Sequence, residues 1–148
     1  MTPKTSPPAA TLDVSVLAGD LRLACMRISR RVRFESTDAL PPHQFSVLVR
    51  LEDVPRTAGE LADIEKVSAP SMSRTVASLV ERGLVARQPD PTDGRQVILS
   101  LSPQGSAMLS HIRRRRDEWM ATRLRSLSAR DRAVLAQATA ILTRVAAA

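Results

Sequence analysis

Aromatic residues and cysteine are scarce in this sequence. Its 148 residues include no Tyr, one Trp and two Phe, so Leu, Val, Ile, Ala and Met must fill the core. A core of that composition suits helices packed against helices better than a β-sandwich. The single cysteine, Cys25, excludes an internal disulfide framework and fits a reducing compartment. Because it lies beside an apolar helical seam, we expect a buried and unreactive thiol.

Long apolar runs and clusters of chemically active residues are missing too. No apolar run approaches the length of a membrane span, and the start, MTPKTSPPAAT, lacks the apolar region of a secretory signal. We therefore expect a cytoplasmic protein with no membrane partner. The two histidines, His43 and His111, are too few and too isolated for a metal site. Without a paired nucleophile and base, paired acids or a phosphate-binding glycine loop, the sequence predicts no cofactor and no enzymatic activity.

Positive charge, in contrast, is abundant. The formal net charge is +7, and the lysines are Lys4 and Lys66, so nearly all of the positive charge is arginine. A small basic protein favours polyanionic partners, either nucleic acid or an anionic membrane surface. Codon bias would produce the same richness in arginine and alanine, so charge alone does not decide the partner.

Helical periodicity and capping residues divide the chain into segments. Residues 1–11, rich in Pro, Ser and Thr, predict a disordered tail. The remaining pattern predicts, in chain order, a long helix from Leu12 to about Phe34, a helix within 43–53, a short helix opened by a Thr57–Glu60 capping box, a helix from Ser68 to a stop at Gly83, a hairpin around Asp93-Gly94, a long helix after Ser102 and a last helix from Ser128.

This order predicts a mainly α fold with a small β-hairpin wing. Two neighbouring helices, a short turn and a hairpin form a winged helix-turn-helix, placed at about 40–102 of a single domain covering 12–148. The helices at about 12–36 and 103–146 carry more apolar stripe than this small centre can cover. A second copy of the chain is the simplest partner, so we expect them to be dimerisation helices.

The helix at about 68–82 has a face suited to a DNA major groove. The periodicity turns Val76, Leu79 and Val80 inward, with Ala69 and Met72 on the same side. The outer side then holds Pro70, Ser71, Arg74 and Ser78, with Ser73 at its margin. Small, hydroxylated and basic residues at a helix start can approach base edges and phosphates. An ordinary solvated helix with a serine-rich start is an equally good interpretation of this segment alone. Leu61 and Ile64 of the preceding helix are expected to lock the pair together.

The stretch from TAGELADI to LSPQG resembles the MarR family of bacterial winged helix-turn-helix regulators. The specific features are Arg74, Leu79, Gly83-Leu84-Val85, Arg87, Asp90, Asp93 and Arg95, followed by LSLSPQG. The similarity extends over roughly residues 12–146, although LPPHQ replaces the polar cap that family members often have before the second helix. It implies a homodimer on double-stranded DNA, with Arg95 in the minor groove and Asp93 orienting it. The residues expected at the DNA are Ser68, Pro70, Ser71, Ser73, Arg74, Arg87, Asp93 and Arg95.

The implied function is a dimeric, sequence-specific transcriptional regulator, a repressor of a pseudo-palindromic operator relieved by a small molecule. A winged-helix protein–protein interaction module and a non-specific architectural DNA-binding protein remain alternatives.

Relatives bind phenolic or lipophilic ligands between dimerisation and DNA-binding helices, and simple core packing is the alternative for each residue there. The pocket for a small aromatic or lipophilic effector would be lined by Leu23, Met26, Phe45, Trp119 and Met120. The run Arg113–Arg116 points nearly all round its helix, which favours a solvated or ion-paired stretch.

Overall fold

The structure, a computed structural model, describes residues 13–35 and 40–148. The tail predicted for residues 1–11 lies outside the described residues. The helices and strands are α1 (Val14–Glu35), α2 (Pro42–Arg50), β1 (Arg56–Thr57), α3 (Ala58–Glu65), α4 (Ala69–Glu81), β2 (Val85–Pro89), β3 (Val97–Leu101), α5 (Pro103–Arg125) and α6 (Ala129–Ala147). The predicted mainly α fold with a small β wing is confirmed.

The wing has one strand more than the predicted hairpin. The sheet order is β1-β3-β2, and both pairings are antiparallel. In β1, Arg56 pairs with Leu99 and Thr57 with Ile98. A strand of two residues carries no alternating pattern of its own, so only its pairing with β3 defines it.

The helix starts follow local capping chemistry. The Thr57 hydroxyl accepts a hydrogen bond from the Glu60 N–H (3.1 Å), and the Glu60 carboxylate accepts one from the Thr57 N–H (2.8 Å), which completes the predicted capping box. Ser68, Ser102 and Ser128 cap α4, α5 and α6 in the predicted way, each accepting from the N–H three residues later. By contrast, α2 follows Pro41 without a side-chain cap, which agrees with the unusual LPPHQ sequence.

Two left-handed residues end the helices of the helix-turn-helix. Gly83 has a φ of 72° after α4, and the N–H of Leu84 donates to the Leu79 carbonyl at 2.9 Å. This closure is the predicted glycine stop, at a backbone conformation that glycine adopts most easily. Lys66 (φ 54°) ends α3 in the same region, although lysine gives no signal for it in the sequence.

The core lies where α2, α3, α4, α5 and the wing meet. Its fully buried side chains include those of Leu48, Leu61, Leu79, Leu99, Leu109 and Ile112. Two residues that the sequence predicted to face the core, Ile64 and Ala69, are exposed instead. Ile64 is 37% exposed, because the packed face of α3 centres on Leu61 and Ala62. Ala69 is exposed, because the packed face of α4 begins only at Met72, three residues later.

The start of α5 is packed tightly against the base of the wing. Ser102 donates its N–H to the Leu84 carbonyl (3.1 Å) and its hydroxyl to the Gly83 carbonyl (2.6 Å). A Cβ atom on Gly105 would come within 3.0 Å of that Leu84 carbonyl oxygen and 2.7 Å from Leu101 Cδ1. Glycine therefore permits the close approach of α5 to the end of α4.

The first and last helices lie outside this core. Neither α1 nor α6 buries any residue within the single chain. Their exposed apolar side chains include Val14 (78%) and Val145 (62%). Cys25, expected to be buried in the seam of α1, is exposed, because no other part of the described chain covers that side of the helix.

Candidate nucleic-acid interface

The first turn of α4 is exposed and internally hydrogen-bonded. The Ser68 hydroxyl accepts from the Ser71 N–H (3.3 Å) and donates to the Ser71 hydroxyl (3.0 Å). That same Ser71 oxygen accepts from Nη2 of Arg74 at 3.1 Å, which holds the guanidinium along the start of the helix. Pro70, Ser73 and Arg74 are exposed. The helix therefore presents donors and a positive charge at its N-terminal end, where the helix dipole also favours an anion.

Ser78 does not belong to this exposed face, contrary to the prediction. It is half-buried, and its hydroxyl accepts from Nε2 of Gln44 on α2 at 3.0 Å. Arg82, near the end of α4, donates from Nη1 to Oε1 of the same Gln44 at 3.1 Å. Gln44 was not singled out from the sequence. The one signal for it in the sequence is that a polar residue lies on the apolar face of α2 that Val47 and Leu48 define.

A second polar link joins α2 to the end of α3. Glu65 accepts from the Ser46 hydroxyl (2.6 Å) and from Nε of Arg50 (2.8 Å). Partial burial raises the pKa of Glu65, but the hydrogen bonds from Ser46 and Arg50 outweigh it, so the pKa lies below its ordinary value. The carboxylate thus stays charged and holds α3 against α2 one residue before the turn into α4.

The wing loop, residues 90–96, is shaped by aspartates. Asp90 Oδ1 accepts from the N–H and the hydroxyl of Thr92, both at 2.8 Å. Those bonds, that of the backbone N–H first, lower the pKa of Asp90. Across the loop, the Asp90 N–H donates to the Gln96 carbonyl (2.9 Å), and the Gln96 N–H donates to the Asp93 carbonyl (3.0 Å). The loop is therefore ordered by its own hydrogen bonds.

Asp93 and Gly94 open a turn, as predicted, since the Gln96 N–H donates to the Asp93 carbonyl, but this turn does not have the geometry of a two-residue hairpin. Because Gly83 is the one glycine with a positive φ in the described ranges, Gly94 does not adopt the conformation of a two-residue Asp-Gly hairpin. Instead, Asp93 Oδ1 accepts from the backbone N–H of Arg95 at 3.1 Å. Asp93 therefore fixes the backbone at Arg95, whose exposed guanidinium makes no hydrogen bond or ion pair with the described residues.

Arg87 lies on the wing, at the side next to α4. It is exposed on β2, opposite Leu99 of β3. It lines a hollow of about 220 Å³ together with Ser73 of α4 and Val97 of β3. Of the eight residues predicted at the DNA, the structure therefore gathers Ser68, Pro70, Ser71, Ser73 and Arg74 at one helix end, Arg87 beside it, and Asp93 and Arg95 at the wing tip.

The residues predicted to line one effector pocket are separated. Trp119 and Met120 line an apolar groove of about 940 Å³ between α1, α5 and α6. Phe45 lines a different cavity of about 260 Å³ between α1, α2 and α5. Leu23 and Met26 are exposed on α1. They separate because Phe45 packs toward the core, whereas the other side chains belong to the terminal helices.

Three arginines of the run 113–116, namely Arg113, Arg115 and Arg116, have separate partners. Arg113 forms a bidentate pair with Glu52 (2.6 and 2.7 Å), and Arg115 lies 3.8 Å from Glu118. Arg116 stacks over Phe45, 4.0 Å from the ring centre, and burial with the neighbouring Arg33 and Arg113 lowers its pKa. Nε of Arg116 is buried with no hydrogen-bond partner in the described structure. The ion-paired interpretation holds for Arg113 and Arg115.

In residues 13–35 and 40–148, no group of three or more His, Cys, Asp or Glu side chains could hold a metal ion. No helix in those ranges combines the length and the apolar character needed to cross a membrane.

Comparisons with known proteins agree with this geometry. The profile of the MarR family matches residues 40–96. An HTH-type transcriptional regulator of Mycobacterium tuberculosis is 42% identical over 128 residues, covering 85% of this chain and 90% of the relative. A mutant of MarR from E. coli superposes with a TM-score of 0.70 at 22% identity, covering 87% of this chain and 95% of that chain. A mutant of MepR from S. aureus bound to an oligodeoxyribonucleotide gives 0.66 at 18% identity, covering 87% and 97%. These two structures share the fold.

Proposed function

This chain belongs to the MarR family of DNA-binding transcriptional regulators, and we propose that it is a homodimeric repressor of a pseudo-palindromic operator, acting in the cytoplasm. The observation that carries the proposal is that α4 and the wing lie beside each other and that each presents an exposed arginine. These are Arg74 at the capped start of α4 and Arg95 at the wing tip.

The homodimer is supported by the terminal helices. Neither α1 nor α6 buries a residue within the chain, and both carry large exposed apolar side chains such as Val14, Ile141 and Val145. Contiguous apolar surface of this kind marks an interaction site. A two-fold dimer through the apolar faces of the terminal helices, within residues 12–36 and 103–146, would bury both faces. To bind successive major grooves, its two copies of α4 would lie about one helical turn of DNA, roughly 34 Å, apart.

Each predicted DNA residue receives a role from its position. Arg74, supported by Ser71, reads base edges or phosphates in the major groove, with Ser73 and Pro70 leaving room for close approach. Ser68 holds the start of the helix. Arg87, between α4 and the wing, binds the phosphate backbone. Arg95 enters the minor groove from a loop that Asp93 shapes.

Release by a small molecule is the second part of the proposal. The cavity beside Phe45 joins α1, α2 and α5, so its occupant would contact both the terminal helices and the DNA-binding part. An aromatic effector would pack against Phe45 and Val49. Its occupation would change the spacing of the two α4 helices, and displacements of a few ångströms are sufficient to lose the match to successive grooves.

The test is binding of an operator fragment selected from the source genome, compared with a scrambled duplex of equal length. We expect Arg95→Ala to weaken binding to the operator while light scattering still shows a dimer. Arg130→Ala, which removes an exposed arginine of α6, is the matched control and should bind normally. Wild-type affinity should fall by roughly 10³–10⁵ between about 50 and 200 mM salt if the dimer makes about 6–10 phosphate contacts.

The same titration separates the alternatives. Equal binding to the operator and the scrambled duplex would identify a non-specific architectural protein. No binding to either duplex, or a flat salt profile, would favour a protein–protein interaction module. Unchanged affinity of Arg95→Ala would refute the role of the wing tip.

A further inference from the structure

Gln44 is a buried polar residue whose two amide atoms both bond to α4. Its side chain is 8% exposed, in the first turn of α2. Nε2 donates to Ser78 at 3.0 Å, and Oε1 accepts from Arg82 at 3.1 Å. Both bonds cross between helices, over 34 and 38 residues of sequence. A buried amide needs such partners, so these bonds constrain how α4 lies against α2.

The packing between α2 and the first half of α4 is incomplete. A cavity of about 390 Å³ lies between α2, the turn after α3 and the start of α4. Gln44 and Glu65 both line it, together with Val47, Ser71 and Thr75. Glu65 ties the end of α3 to α2 on one side of this cavity. On the other side, Gln44 provides the polar tie to α4 itself.

The bonds of Gln44 hold one particular stripe of the recognition helix. Ser71, Ser78 and Arg82 are spaced by seven and four residues, so they share one face of α4. Arg74 is a neighbour of that stripe and is bonded to it through Ser71. Rotation of α4 about its own axis would therefore be resisted at Ser78 and Arg82 and would displace Arg74.

We propose that Gln44 is a positioning residue that sets the rotation and tilt of α4, and hence the match of Arg74 and Ser73 to the bases of the operator. This inference rests on the proposed DNA-reading role of α4. A binding constellation must be held within about 0.5 Å and 10–20° of its productive geometry. The apolar packing of Met72, Val76 and Leu79 holds α4 against the core, and the two amide bonds add a directional constraint beside the cavity. Being buried, Gln44 itself makes no contact with DNA.

The experiment uses the full chain and four variants: Gln44→Leu, Ser78→Ala, the double variant, and Gln104→Leu as a control at an exposed glutamine of α5. Fluorescence anisotropy gives the affinity for the selected operator duplex and for a scrambled duplex of equal length. We expect Gln44→Leu to weaken operator binding roughly tenfold, the effect of about one lost buried hydrogen-bond partner. Binding to scrambled DNA should not change, because the arginine contacts to phosphate remain. Gln104→Leu should match the wild type on both duplexes.

The double variant tests the route of the effect. If Gln44 acts through Ser78, Ser78→Ala should weaken operator binding less than Gln44→Leu, and the double variant should bind no worse than Gln44→Leu. Thermal unfolding is measured for each protein. Should Gln44→Leu unfold early, Ser78→Ala carries the test, because it removes a single hydroxyl and must still lower the operator-to-scrambled ratio.

Two results would overturn the inference while leaving the proposed function intact. One is wild-type operator affinity of Gln44→Leu, and the other is an equal loss on both duplexes, which would show a general effect rather than misalignment. A wild-type protein that prefers no duplex would instead refute the proposed function and this inference together.

Discussion

Replacing Gly105 with alanine should destabilise the whole fold, although alanine favours helices. The added Cβ would meet the Leu84 carbonyl oxygen at less than 3.0 Å and Leu101 Cδ1 at 2.7 Å. The carbonyl cannot move aside easily, because Leu84 is buried and its oxygen accepts the Ser102 N–H that starts α5. Relief therefore requires a shift of α5 against the wing.

The magnitude follows from two opposing effects. Overpacking costs about 1–3 kcal/mol, with the upper end expected for a backbone clash. Alanine recovers at most about 0.5–1 kcal/mol through its better helix propensity. The net loss is about 2 kcal/mol, which corresponds to a fall of roughly 4–8 °C in Tm for a chain of this size.

Thermal unfolding by circular dichroism measures this difference. Protein concentration must be equal for all variants, since the Tm of the proposed dimer would depend on it. Gly59→Ala is the matched control in the first turn of α3, where the nearest atom to the new Cβ is Thr57 Oγ1 at 3.8 Å. We expect it to keep the Tm or to raise it, because the substitution adds up to about 1 kcal/mol of stability. A Tm of Gly105→Ala equal to or above that of the wild type would refute the close-approach argument.

Two other variants address the recognition helix and its support. Ser68→Ala should lose about 1 kcal/mol of stability with the cap of α4, and it should also weaken operator binding. Ser128→Ala removes the same kind of cap from α6, and equal effects of the two variants on DNA affinity would contradict the special role of Ser68. The pKa of Glu65 is lower in the folded protein than its ordinary value of 4.5, so the charged carboxylate stabilises the fold at pH values above 4.5. This contribution is lost as the pH falls through the pKa of the folded state. Glu65→Gln should therefore show a flatter dependence of Tm on pH between about 6 and 3, whereas parallel curves for the two proteins would exclude the effect.

Locally encoded features were predictable from the sequence. The caps at Thr57, Ser68 and Ser102 and the stop at Gly83 depend on residues within one helical turn, and the structure confirms each of them. Their side chains and backbones meet through chain geometry alone, so a single sequence contains the information.

Features that depend on distant partners were not predictable. Ser78 fits an outward position on a helical wheel, yet Gln44, 34 residues earlier, draws it against α2. Strand β1 exists only because β3 pairs with it. The wing loop differs for a local reason: Asp93-Gly94 has the sequence of a tight hairpin, but Asp90 accepts from Thr92 and donates to the Gln96 carbonyl, and these competing bonds produce a longer loop. The assignment of the eight DNA-contacting residues stays a prediction.

In the wing loop, the residues that stabilise the backbone are different from the residue whose side chain is exposed at the tip, Arg95. The hydrogen bonds of the loop come from the backbone and from the side chains of Asp90, Thr92 and Asp93, and none requires the guanidinium of Arg95. Position 95 can therefore accept other side chains of similar reach while the loop keeps its shape. With the proposed role of Arg95 in the minor groove, single substitutions there would change the groove preference of the wing at little cost in stability, and an engineered wing with altered binding should begin at that position.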